Sequence, residues 1–155
     1  ALSDIIDSAM AEEKKLVIMA RFVPELDAIQ ELLEKKKIGY SVVRGGVKDR
    51  DNEIHRFQYD DKCRVFVGQI AAAGLGITLT AASTMVFYYL DYSMSNFEQA
   101  KARIHRAGQK ENCHYIYLVC RGTVDRKVLY ALRQKMNLAK MLVDDYRQGR
   151  NPFKN

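Results

Sequence analysis

Leu16-Val-Ile-Met-Ala20 is an unbroken apolar run set between Lys14-Lys15 and Arg21. A short apolar run bounded by charge is the pattern of a strand buried on both faces, and such strands belong to parallel sheets covered by helices on either side. Pro24 follows where a helix could open, and Leu26, Ile29, Leu32 and Leu33 recur at helical spacing as far as Lys35-Lys36-Lys37. Cations at that end complement the helix dipole. The alternation then repeats. Residues 40–43 read as a strand ending at Arg44-Gly45-Gly46, 48–58 as a helix, and 64–69 as a strand running into Ala71-Ala-Ala-Gly74-Leu-Gly76-Ile-Thr78-Leu-Thr80. Residues 84–90 read as a fourth strand, 95–105 as a helix opened by the capping box Ser95-Asn-Phe-Glu98, and 114–120 as a fifth strand. Gly122-Thr123 precedes a long closing helix with Val124, Val128, Leu129, Leu132, Met136, Leu138 and Leu142 on its apolar face. This rhythm predicts an α/β fold of three layers with a mostly parallel sheet.

The 155 residues suit one domain, which would bury roughly 70% of the surface of the unfolded chain. No apolar run of about 20 residues is present, so no membrane span is expected, and the acidic, amphipathic opening 1–13 does not read as a signal peptide. Because the chain starts at Ala1 without a methionine, a processed end or a fragment of a longer protein is expected. Cys63, Cys113 and Cys120 are odd in number, without a close pair, and each falls in an apolar segment that reads as strand. They are expected to be reduced thiols of a cytoplasmic or nuclear protein, with no disulfide partner and no zinc site. The charge of +6 is concentrated at one end: the last 35 residues hold nine basic side chains against three acidic ones, and the first 120 balance. Such a tail suits a phosphate backbone or an acidic partner, and equally a solvated helix face.

The most informative stretch for function is Gln99-Ala-Lys-Ala-Arg103-Ile-His-Arg106-Ala-Gly-Gln109. Arginines three apart lie on one helical face, keep their charge at neutral pH and offer planar donor forks that fit phosphate oxygens. Taken alone, the pair could also be solvated helix arginines. His105 between them is expected to pack or orient, since no nucleophile or metal partner is in view. Gly74 and Gly76 would let backbone amides approach a phosphate or ribose, although the spacing fails the dinucleotide fingerprint because Leu79 stands where a third glycine belongs. Arg44-Gly45-Gly46 at a strand end, before a helix starting near Lys48, would turn amides and two cations toward an anion, or simply make a strand-to-helix turn. Asp51-Asn-Glu53-Ile-His55 looks like an acidic hydrolase box, yet on an amphipathic helix it is expected to be surface charge.

In parallel α/β sheets ligands meet the loops at the carboxyl ends of the strands. The segments 44–46, 69–76 and 91–93 fall there, and the segment 103–109 must be brought to the same rim by helix packing. The chain lacks a Gly-x-x-x-x-Gly-Lys-Ser/Thr loop and a strand ending in paired acids. It therefore carries parts for half of a phosphoryl-transfer site.

In order, Lys15-Leu-Val-Ile-Met-Ala-Arg-Phe22, Arg44-Gly-Gly46, Arg64-Val-Phe-Val through Gly74-Leu-Gly-Ile-Thr-Leu-Thr80, and Gln99 through Gln109 resemble the second RecA-like lobe of superfamily-two helicases. The resemblance is closest to the Swi/Snf family of ATP-dependent DNA translocases and covers residues 14–145, including Gly122-Thr-Val-Asp-Arg-Lys-Val-Leu. Gln109 stands where an RNA helicase of the DEAD-box type would carry arginine.

The resemblance implies a RecA-like fold and specific roles. Arg103 and Arg106 would be arginine fingers toward ATP held, with magnesium, mainly by an N-terminal RecA-like lobe absent from this chain. Gln99 would help hold them, Gly74 and Gly76 would border the ribose, and Arg44, Gly45, Gly46, Gln69 and Ala71 would lie along the phosphates of double-stranded DNA. The isolated chain would not hydrolyse ATP. Gln69 and Ala71 replace a frequent Ser or Thr, Thr78 a frequent Asn, and Asp91-Tyr-Ser-Met-Ser95 a frequent Trp-Asn-Pro turn, which points to a divergent member, microbial or viral, in the latter case acting in the host-cell cytoplasm. The alternative is a free-standing, non-catalytic nucleic-acid-binding or regulatory module.

Overall fold

A computed structural model describes residues 2–46, 49–69, 77–88, 99–118, 130 and 134. Five strands form one parallel sheet in the order β2-β3-β1-β4-β5, with β1 Lys15–Ala20, β2 Gly39–Val43, β3 Cys63–Gln69, β4 Ala82–Phe87 and β5 His114–Tyr117. The apolar run at 16–20 is the middle strand, and every residue in it is buried. Leu16, Ile18 and Ala20 face one layer and Val17 and Met19 the other, the two-residue alternation of a pleated strand.

The first layer holds helices α1 Leu2–Ala11 and α2 Val23–Lys35, whose Leu2, Ile6, Leu26, Ile29 and Leu33 pack with Val65, Val67 and Val86. The opening segment is thus a helix of the fold. Pro24 lies in the first turn of α2, after Phe22 with an extended backbone, as its missing N–H and fixed φ favour. The second layer holds helix α3 Arg50–Tyr59, the leg 77–79 and residues 100–104, with Phe57, Ile77, Leu79, Ala100 and Ile104 against Val17, Met19, Phe66, Met85 and Phe87.

Strand β2 is an edge strand, and two side chains of α3 close part of that edge. Glu53 accepts the Val42 N–H at 2.8 Å, Arg56 donates to the Tyr40 carbonyl, and the two side chains pair at 3.6 Å. Glu53 is therefore not the surface charge its helix pattern predicts, because an unpaired edge amide lies within its reach and gains from an acceptor. Gly39, where β2 shifts register against β3, has no room for a side chain: a Cβ there would lie 2.2 Å from the Lys62 carbonyl oxygen.

Some boundaries differ from the sequence reading. Strand β4 begins at Ala82, because its pairing with β1 starts there opposite Lys15. Strand β5 begins at His114, opposite Thr84, as the sequence predicts, so Cys113 lies just before a strand and not in one. Cys63 is buried with its Sγ 3.0 Å from the Ser41 hydroxyl, Cys113 is partly buried, and both are free thiols. The capping box 95–98, residues 89–94, Cys120 and the closing helix through 142 lie outside the described residues, apart from Tyr130 and Gln134.

Candidate functional site

Residues 99–101 are helical, and the backbone then tightens: Arg103 N–H donates to Ala100 and Ile104 N–H to Lys101, at 3.1 and 3.3 Å. Bonds of this i to i−3 kind bring residues three apart over one another. The arginines of the motif accordingly share one acceptor. Arg106 Nη1 donates to the Ile77 carbonyl at 2.8 Å, and Arg103 Nη1 makes a longer contact to it at 3.5 Å. Arg103 also donates from Nε to the Gln99 carbonyl at 2.8 Å.

Arg103 is 9% exposed and Arg106 is exposed. Among the described residues no carboxylate forms an ion pair with either. Burial lowers the pKa of Arg103, and the neighbouring charges of Arg106 and then Arg50 lower it further. An arginine keeps its proton even so. The consequence is a concentration of positive charge that a carbonyl orients without neutralising it. Arg50 is a contributor that sequence reasoning missed. It lies at the start of α3, and only the packing of α3 and 100–104 on the same sheet face could have pointed to it.

The Arg103 carbonyl accepts the Leu79 N–H at 2.9 Å, and Gln109 Nε2 donates to the Ala82 carbonyl at 2.7 Å. The segment therefore lies along the leg entering β4, and its far end reaches the amino end of that strand, not the carboxyl rim expected from the sequence. Gln99 contributes through its backbone carbonyl. His105 is exposed, so of the two roles expected of it, packing or orienting, it does not serve the first.

The second candidate group sits at the carboxyl rim. Gln69, at the end of β3, accepts the Gly45 N–H at 3.0 Å and donates to the Arg21 carbonyl at 3.2 Å, so one side chain joins the ends of β1, β2 and β3. Arg44 turns back onto α2, where Nη1 pairs with Asp27 at 2.7 Å and reaches Gln30 Oε1 at 2.9 Å. Gly46 has φ +89°, a conformation that glycine adopts without strain. Among the described residues no hydrogen bond or ion pair joins this rim to the 99–109 segment. Ala71, Gly74 and Gly76 lie outside the described residues, as do 91–93.

Residues 1–108 match the family described as Helicase conserved C-terminal domain. The chain is 37% identical over 130 residues to a SWI/SNF-related matrix-associated actin-dependent regulator of chromatin subfamily A-like protein 1 homolog from Caenorhabditis elegans, covering 83% of this chain and 19% of that protein. It is 30% identical over 146 residues to a DNA repair and recombination protein RAD54-like of Drosophila ananassae, covering 92% of this chain and 18% of the relative. It thus spans under a fifth of the length of either. The crystal structure of the C-terminal part of the Fun30 ATPase domain superposes with a TM-score of 0.80 at 22% identity, over 84% of this chain and 43% of that one.

Proposed function

This chain belongs to the helicase conserved C-terminal domain family, as a C-terminal lobe of the Swi/Snf branch of superfamily two, and from that premise we propose that it is the second motor lobe of an ATP-dependent DNA translocase. In this reading Arg103 and Arg106 are the arginine fingers for ATP held by an N-terminal RecA-like lobe. The observation that carries it is the pair of guanidiniums on the Ile77 carbonyl, with no carboxylate among the described residues to neutralise them.

The donor set fits the phosphate end of a nucleotide. Two planar forks fixed side by side supply positive charge where negative charge develops, and a preformed arrangement avoids reorganisation during the reaction. Magnesium would be held together with the triphosphate mainly by the first lobe, through one or two carboxylates and the phosphates themselves. Closure of the lobes would bring the arginines to the phosphates, and opening would withdraw them, so that nucleotide state shifts the grip on DNA. The loop with Gly74 and Gly76 would border the ribose.

Nucleic-acid phosphates would follow the carboxyl rim at 44–46 and 69, and the resemblance adds Ala71 to this contact. Gln69 supports this reading by fixing the three strand ends in one rigid lip, and Gly46 leaves its backbone bare. Relatives named for chromatin regulation and DNA repair support a nuclear setting and DNA as the nucleic acid, which in this reading is double-stranded.

The test is ATP turnover by the protein carrying both lobes. Arg106→Ala is expected to lower kcat about a thousandfold while changing the KM for ATP far less, the size of effect that loss of a finger produces. Turnover within threefold of the parent would overturn the assignment. The isolated chain is expected to show no turnover above background.

A further inference from the structure

We propose that Gln109 is the positioning residue for the arginine pair, setting the place of Arg106 without itself touching the nucleotide. The inference rests on the reading of Arg103 and Arg106 as fingers. Its own foundation is the use made of the Gln109 amide. Nε2 donates to the carbonyls of Ala82 at 2.7 Å and Ile104 at 3.0 Å, and Oε1 accepts the N–H groups of Lys110 at 3.1 Å and Glu111 at 3.2 Å. A primary amide has two N–H donors and one carbonyl with two lone pairs, so the whole capacity of this side chain is taken up.

The four partners belong to three pieces of chain: the first residue of β4, the end of the tightened helical turn, and the approach to β5. Residues 105–108, which include Arg106, are exposed, and Gly108 takes φ +95°. Little packing therefore fixes this turn, and hydrogen bonds at its two ends do so instead. Upstream, the Arg103 carbonyl holds the Leu79 N–H at 2.9 Å. Downstream, Gln109 donates its own N–H to the Arg106 carbonyl at 3.1 Å, and its side chain ties that point to Ala82 and Ile104. Ile77 and Ala82 lie on the same leg into β4, so the tie to Ala82 fixes how far Arg106 stands from the Ile77 carbonyl. Reactive geometry is sensitive on this scale, since a misplacement of about 1 Å can cost roughly a hundredfold in rate.

The experiment is a double-mutant cycle on kcat in the protein carrying both lobes, with Gln109→Leu, Arg106→Ala and the double variant. Gln109→Leu is expected to lower kcat about 10- to 100-fold with the KM for ATP and DNA affinity within about twofold. In the Arg106→Ala background the same substitution is expected to change kcat less than threefold, because its effect acts through Arg106. Equal losses in both backgrounds, or a parental kcat for Gln109→Leu, would overturn the inference and leave the finger reading standing. A parental kcat for Arg106→Ala would overturn the finger reading and this inference with it. Gln109→Lys keeps a donor for the two carbonyls and gives up only the acceptor, so it serves where the leucine variant does not fold. It is expected to lose less than tenfold in kcat, and the same loss with and without Arg106 would again overturn the inference.

Discussion

Two arginine sites that the sequence offers as phosphate contacts, Arg44 at the rim and Arg103 with Arg106 in the 99–109 segment, are treated by the fold in opposite ways. Arg44 faces Asp27, an acid that cancels its charge. Arg103 and Arg106 face a carbonyl, which directs a guanidinium and leaves its charge intact. A cation held by a carboxylate serves the lobe that contains it, whereas a cation held by a carbonyl stays available to an incoming anion.

The largest effect expected from this difference is a split in turnover. Set beside the thousandfold loss from Arg106→Ala, Arg44→Ala is expected to lower kcat less than tenfold and stability by about 0–1 kcal/mol, the range for an ion pair whose acid is largely exposed. Steady-state kinetics and denaturant unfolding measure the two quantities. Equal kinetic losses would erase the distinction between the clusters.

Next in size is the loss of the rim's own tie. Gln69→Ala removes the acceptor of the Gly45 N–H and the donor to the Arg21 carbonyl. Each bond contributes about 0.5–1.5 kcal/mol net, so about 1–3 kcal/mol is expected from urea unfolding, with amide exchange at Gly45 accelerated. In a chain where the rim and the 99–109 segment are independent, the kcat of the two-lobed protein is then expected to fall less than threefold at a fixed saturating DNA concentration. A kinetic loss as large as that expected from Arg106→Ala would show that the rim positions the arginine pair.

How much of this was legible in the sequence follows from what each signal depends on. The strand at 16–20 and the helix opened by Pro24 were legible, because apolar runs and backbone restriction act locally. The pairing order was not, since β1 lies between β3 and β4, which are remote from it along the chain. The spacing of Arg103 and Arg106 marked them as candidate phosphate contacts, yet their acceptor is a backbone carbonyl and has no side-chain signature. Glu53 looked like surface charge because its partner is the amide of an edge strand, and an edge exists only once the sheet is assembled. Gln109 was visible as the last residue of a motif, but its four bonds reach backbone atoms that no residue type encodes.

The smallest expected effect is the most direct probe of the contrast, since it converts one kind of arginine into the other. Asp27→Asn removes the carboxylate beside Arg44 and keeps a neutral acceptor of similar shape, so the charge of the guanidinium is no longer offset where it stands. Each phosphate neutralised on duplex DNA adds about 0.9 to the slope of log affinity against log salt. If the rim lies along DNA, the Asp27→Asn slope is expected to steepen by about that amount, with affinity rising a few-fold at low salt. Adding Arg44→Ala is expected to return it to the parental value. Fluorescence anisotropy across a salt series reads both. A slope indifferent to Asp27→Asn would remove Arg44 from the DNA contact and leave that role at the rim to its backbone.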